Sequence, residues 1–320
     1  MVDERAFTAG LAKFFAPPRG KGALGIGDDA AVVCHRGSHA VLACDPVVEG
    51  EHFEPATPLR RVAHKAVHRN LADLAAMGAA FDYALVSVLW PKGRPARGLR
   101  TLFAGLRAAV EGAGGRVVGG DLGATEGPLV VTVTVSGHPV GTVLRRDAAR
   151  VGDQIFVSAP LGGSIAGHHL RFLAPLALGA WLARQRGVGA VIDVSDGLAL
   201  DLRRVLAASE VRSRRPLGAV LVADAIPVSA AARRLAGGDS DVGLARALGD
   251  GEDHALMFTL RRGVQLPASP VLGTCGRTPI GEVVATRGVR LREADGSGRA
   301  LGAIGYQHRL GQRAPGDDRG

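Results

Sequence analysis

Aspartates recur in this chain where apolar segments end. "VLACD" closes on Asp45, "VVGGD" on Asp121 and "AVID" on Asp193, and Asp196 follows in "DVSDG". Asp28 and Asp29 stand side by side in "GIGDDAAVV", just before another apolar run. A helical reading of "HRNLADLAAMG" puts Asn70, Asp73 and Met77 on one face, at spacings of three and four. A single aspartate after a strand is ordinarily an N-cap or a turn former. The set calls for more. Asp28, Asp121 and Asp196 each adjoin a glycine (Gly27, Gly120, Gly197), which lets backbone approach a ligand closely. Unpaired, partly desolvated carboxylates cost several kcal/mol each. Hard divalent cations relieve that cost, and oxygen ligands select Mg²⁺. Mg²⁺ held by a few carboxylates, with its other positions open, is how proteins hold nucleotide polyphosphates.

Other chemistries are poorly served. "GALGIGDD" and "APLGGSIAG" are glycine-rich, but neither contains G-x-x-x-x-G-K-[ST], which argues against a P-loop enzyme. "PLGGSIAG" entering a helix suits either anion binding at the helix N-terminus or a tight strand-to-helix turn. His64–His68 and His168–His169 have no third ligand at zinc spacing and read as ordinary histidines. Cys34, Cys44 and Cys275 are odd in number and far apart, as expected of free thiols in a reducing cytoplasm. The net charge of +9 raises the question of nucleic acid. The basic residues are scattered as pairs, with one denser run at Arg212 to Arg215 and no interleaved aromatics, so they read as solvated surface. No signal core is expected in the acidic "MVDERAFTAG", and no membrane span, since the longest apolar stretch is interrupted by Pro175 and too short.

The elements that must position these carboxylates alternate along the chain. "ERAFTAGLAKFF" reads as a helix burying Phe7, Leu11, Phe14 and Phe15. The segment from Thr57 to Gly78 reads as a helix with Thr57 as N-cap, Pro58 at its first position and Gly78 as terminator. "AAVVC" and "HAVLACD" are strands with no helix between them, so the sheet is not purely parallel. "HAVLACD" and "LVVTVTVSG" are apolar on both faces, which suggests burial on two sides. In the second half "GGSIAGHHLRFL", "PLALGAWLARQ", "LALDLRRVLAAS" and "SAAARRLAG" read as helices between strands. The fold class is therefore α/β or α+β. The expected organisation is two domains, 1–145 and 146–310, and a disordered tail at 311–320.

Seven motifs in order, "GIGDDAAVV", "CDPVVEGEHF", "HRNLADLAAMGA", "GGD", "LRRDAARVGD", "IDVSDGL" and "GEDHALMF", give the chain a resemblance to the thiamine-monophosphate kinase family. The match runs over nearly the whole length. The wider superfamily it resembles includes aminoimidazole ribonucleotide synthetase, selenophosphate synthetase and a hydrogenase maturation factor. The resemblance implies two α/β domains with mixed sheets and flanking helices, and a homodimer built on the N-terminal domains. It also implies ATP and several Mg²⁺ ions in a cleft between the domains. Matched by motif, Asp29, Asp45, Asp73, Asp121 and Asp193 would hold Mg²⁺, with Asp196 on another ion and Asp28 beside them. Gly120, Asp121, Arg146 and Ser195 would contact ATP, and Asp121 and Arg146 would act in catalysis. His52 and Glu252 would contact thiamine monophosphate.

The acceptor half departs from the family pattern more than the metal half. Cys44, Ala72 and Leu122 replace hydroxyl residues, His254 and Ala255 stand for Tyr and Glu, and Arg309 replaces an aromatic near the C-terminus. The implied activity is ATP-dependent phosphorylation of thiamine monophosphate to thiamine diphosphate. Two alternatives stay open on the sequence: a sister enzyme with another acceptor, and a non-catalytic nucleotide-binding homologue.

Overall fold

An uninterrupted run without glycine or proline, Leu59–Ala76, forms helix α1, which has buried positions on nearly every side, among them Val62, Ala66, Leu71 and Leu74. An amphipathic surface helix would expose one face. This one is covered on two sides because it packs between two sheets. The computed structural model describes residues 21–306 except Arg36. The expected first helix, the tail at 311–320 and Arg309 lie outside the described residues.

The first sheet has five strands in the order β1-β2-β5-β3-β4. They are β1 (Ala31–His35), β2 (Ser38–Val48), β3 (Ala79–Pro91), β4 (Arg116–Thr125) and β5 (Val130–Pro139). Only β3 and β4 run parallel, joined across helix α2 (Arg97–Gly112); the other pairs are antiparallel, as the helix-free link from β1 to β2 requires. Along β5 Val131, Val133 and Val135 are fully buried, while Thr132, Thr134 and Ser136 on the other face are half-buried. Within one chain the central strands are therefore covered on one face, where their apolar sequence suggested two.

The second sheet has seven strands in the order β12-β11-β8-β10-β6-β9-β7. They are β6 (Gln154–Val157), β7 (Val188–Asp193), β8 (Gly218–Val222), β9 (Leu256–Leu260), β10 (Gly281–Val284), β11 (Gly288–Arg292) and β12 (Gly298–Ala300). Helices α3 (Leu176–Leu182), α4 (Leu198–Ser213), α5 (Ala230–Leu235) and α6 (Ser240–Gly249) accompany it. Between the sheets lies an apolar seam of Ala75, Ala76, Leu144, Phe156, Leu178, Leu182, Val191 and Phe258. Phe156 and Phe258 stack there, their centroids 5.3 Å apart.

Three local expectations are corrected. Helix α1 starts at Leu59 with Pro58 as its N-cap and no side-chain cap, so Thr57 stands one residue too early to serve. Gly78 does end the helix, at φ +67. "GGSIAGHHLRFL" forms only two short 3₁₀ turns, Ser164–Ala166 and His168–Leu170, separated by Gly167 at φ +109. Helix α6 was missed because Gly243 weakens its pattern; its start is fixed by the Asp239 carboxylate, which accepts from the N–H groups of Asp241 and Val242.

Helix α3 lies against α1 so closely that a Cβ at Gly179 would stand 2.0 Å from the carbonyl oxygen of Ala75. Gly179→Ala is expected to lower the unfolding free energy by about 1–3 kcal/mol, measured by denaturant titration.

Candidate active site

Three elements meet at one end of the seam. The segment before β1 supplies Asp29, α1 supplies Asp73 and the C-terminal end of β7 supplies Asp193. Each offers a carboxylate oxygen, and these atoms all lie within 4.8 Å of one another. Burial raises Asp29 and Asp193 to about 7 although Arg146 opposes the shift for both. Asp73 is pushed well above the ordinary carboxylate range by burial and then by the charges of Asp193, Asp45 and Asp29. One oxygen of Asp29 is buried with no hydrogen-bond partner among the described residues. Converging, desolvated carboxylate oxygens with an unused lone pair fit a hard divalent cation.

Around this triad the chain supplies its own positive charge. The Arg146 guanidinium pairs with Asp29, and its Nε lies 3.4 Å from Asp28. The Arg146 N–H also donates to Asp28, at 3.2 Å. Burial and then Asp29 raise Asp28 to about 7. His254 bonds through Nδ1 to Asp193 at 3.0 Å, with its ring stacked on Phe172 at 4.2 Å. Burial lowers His254 to about 3, so the imidazole is neutral and donates Nδ1–H to the Asp193 carboxylate.

Asp45 sits inside β2, not at its end, because the strand continues to Val48. It is tied to α1 twice: Arg69 Nε approaches its carboxylate at 3.2 Å, and its N–H donates to Asn70 Oδ1 at 2.7 Å. Asp196 is paired with Arg204, and its N–H donates to the buried Asp201 at 3.0 Å. Four residues picked from the sequence, His52, Ser195, Asp196 and Glu252, line one cleft together with Arg69, His254 and Tyr306. A larger hollow beside Phe156 and Leu266 has Arg277 as its only charged lining residue and no carboxylate.

Gly120 and Asp121 are not brought to the triad. They lie on the edge strand β4, three strands from β2, or about 14 Å at ordinary strand spacing. Asp121 pairs in register with Ser87, between Leu85 and Leu89, so it faces away from α1. Gly120 has a local structural reason to be glycine: a Cβ there would stand 1.8 Å from the Val86 carbonyl oxygen.

The glycine-rich "PLGGS" loop donates to carboxyl groups, but to two of the chain's own. The Gly162 N–H donates to Asp253 at 2.9 Å and the Gly163 N–H to Asp250 at 2.8 Å. Sequence reasoning also missed Lys65, Arg69, Asp201 and Arg204. Arg69 had a signal, since it stands four residues before Asp73 on the same helix face. Lys65, fully buried, had none.

Mixed sheets sharing a central helix, with carboxylates gathered at their seam, define the class. The family described as AIR synthase related protein, N-terminal domain, matches residues 27–139. The thiamine-monophosphate kinase of Rhodopirellula baltica is 37% identical over 245 residues, covering 74% of this chain and 75% of that protein. The thiamine-monophosphate kinase of Escherichia coli K12 is 32% identical over 314 residues, covering 89% and 91%. A solved structure of AaThiL complexed with AMPPCP and TMP superposes with a TM-score of 0.81 at 25% identity, over 96% of this chain and 97% of that one. The chain belongs to the thiamine-monophosphate kinase family.

The raised carboxylates set a pH dependence. Asp28, Asp29 and Asp193 move from 3.8 to about 7 on folding. Between those values the folded chain binds more protons than the unfolded one, so stability falls as pH rises. With chelator present, Asp73→Asn is expected to raise Tm at pH 8 and to change it little at pH 5, read by calorimetry. An equal change at both pH values would contradict the repulsion.

Proposed function

We propose that this chain transfers a phosphoryl group from ATP to thiamine monophosphate, giving thiamine diphosphate. The observation that carries the reading is the carboxylate triad beside a cleft lined by His52, Ser195 and Glu252. In this reading Asp29, Asp73 and Asp193 hold Mg²⁺, aided by Asp28 and Asp45, and Asp196 serves a further ion. Bound Mg²⁺ supplies charge neutralisation on the polyphosphate.

The chain's own residues do the positioning. Arg146 already sits among carboxylates at the mouth of the triad, and its guanidinium is a forked donor suited to phosphate oxygens. The neutral His254 holds Asp193 in place through Nδ1–H. Ser195, His52 and Glu252 line the cleft; we assign Ser195 to ATP and His52 and Glu252 to the acceptor. A phosphate oxygen of thiamine monophosphate is ionised near neutral pH, so no general base is required. In-line placement and charge stabilisation carry the rate.

We assign residues 1–145 to a nucleotide, Mg²⁺ and dimerisation domain and 146–310 to a second α/β domain. We also propose a homodimer through the outward face of the first sheet. Tyr83, Leu85 and Leu89 of β3 are exposed there at 52%, 48% and 41%, an apolar stripe suited to a second copy. Asp121 faces the same way, so its part in ATP and Mg²⁺ binding depends on that second copy. The unpaired Cys34, Cys44 and Cys275 support a cytoplasmic setting. Among the described residues no helix is long and apolar enough to cross a membrane.

Incubation with ATP, Mg²⁺ and thiamine monophosphate, followed by mass spectrometry, is expected to give thiamine diphosphate. Asp73→Asn should fold and lose activity by about 100-fold or more. ATP hydrolysis without thiamine diphosphate would overturn the acceptor, and no turnover of ATP would overturn the kinase. By light scattering the chain is expected to be a dimer, and Leu85→Lys a monomer.

A further inference from the structure

A lysine fully removed from solvent must have a partner, since an unpaired buried charge is prohibitive. Lys65 is 0% exposed and projects from the middle of α1. Its Nζ lies 2.7 Å from each oxygen of Glu252 and donates to the carbonyl oxygen of His52 at 2.5 Å. These are the two residues placed on the acceptor side of the cleft. They come from different halves of the molecule: His52 follows β2, and Glu252 lies on the loop before β9. One ammonium therefore holds both.

The loop carrying Glu252 has reason to need such a hold. Glu252 and His254 both adopt left-handed backbone, at φ +53 and +48, a conformation L side chains avoid. Such backbone persists only where its surroundings over-determine it. Here the Gly162 N–H is bonded to Asp253, the Ser164 hydroxyl to the Gly251 carbonyl at 2.5 Å, and the Glu252 N–H to the Ser195 carbonyl at 2.7 Å. These bonds fix the backbone and leave the Glu252 side chain to Lys65.

We infer that Lys65 is a positioning residue of the acceptor site: it sets the placement of the Glu252 carboxylate and of the His52 backbone, and so governs acceptor binding without touching the nucleotide. The inference rests on the proposed thiamine monophosphate kinase reading. Burial without exposure keeps Lys65 itself away from substrate, so its influence passes through the two residues it grips. A charged lysine spent on Glu252 also makes that carboxylate a fixed hydrogen-bond acceptor rather than a free anion.

The test compares Lys65→Met, Lys65→Arg and Glu252→Gln in the full chain, with thermal melts alongside. Wild-type formation of thiamine diphosphate is measured first; its absence overturns the functional reading and this inference with it. Given turnover, Lys65→Met is expected to raise the KM for thiamine monophosphate by about tenfold or more and to leave the KM for ATP within about twofold. Added to Glu252→Gln, Lys65→Met should cost less than it does alone, because the two act through one contact. Lys65→Arg, which keeps the charge, should show a smaller selective rise, and it carries the test if Lys65→Met does not fold. A lowered Tm with both KM values unchanged, or equal shifts in both, overturns the inference and leaves Lys65 a structural residue.

Discussion

Like charges repel, and this fold gathers them. Asp29, Asp73 and Asp193 arrive from a segment before a strand, a buried helix and a strand end, and their oxygens converge within 4.8 Å. Neighbouring guanidinium groups and one imidazole answer that repulsion. Arg146 crosses from the second half of the chain to pair with Asp28 and Asp29. Arg69 takes Asp45, and Arg204 takes Asp196 and Asp201. His254 contributes a neutral donor where another cation would have to be desolvated. The site is thus a set of converging carboxylates stabilised by guanidinium groups around it, an arrangement that fits a cation.

Helix α1 makes the convergence possible. Its residues pack against β2, β3 and β5 on one side and against β7 and α3 on the other. A helix covered by two sheets can show polar groups only where both sheets leave a gap. Lys65, Arg69, Asn70 and Asp73 occupy that gap, and each has a partner drawn from outside the helix or a place in the triad. The cost of burying them is offset by pairing, while Val62, Ala63, Ala66, Val67, Leu71, Leu74 and Ala75 of the same helix are fully buried.

The carboxylates and the alternation of strands and helices were legible in the sequence because both are local patterns. Asp28, Asp29, Asp73, Asp193 and Asp196 end strands, begin them or ride a helix face, and the structure clusters them near one seam. What was not legible depends on contacts distant in sequence. Lys65 carries no local mark, since its partner Glu252 lies 187 residues away. Asp201, which the sequence does not single out, is buried and accepts from the Asp196 N–H. The glycines of "PLGGS" suit either an anion site or a tight turn, and the loop N–H groups donate to the chain's own Asp250 and Asp253. Asp121 was grouped with the others by residue type and strand-end position; strand order, which no local pattern encodes, sets it at the far edge and facing outward.

Lys65 and Asp73 stand eight residues apart on one helix, which is about 12 Å along the helix axis. One end of that span grips the residues assigned to the acceptor, and the other carries a carboxylate of the triad. Helix α1 is therefore a ruler. In the proposed function it sets the distance between the residues assigned to the acceptor and the carboxylates assigned to Mg²⁺. A helix cannot stretch, and a single-residue insertion between the two marks would turn one away from its station by about 100°. On that assignment, selection among phosphorylated acceptors would be a matter of molecular length as much as of functional groups. A molecule carrying the right ring but a longer or shorter reach to its phosphate would find one half of the site and miss the other.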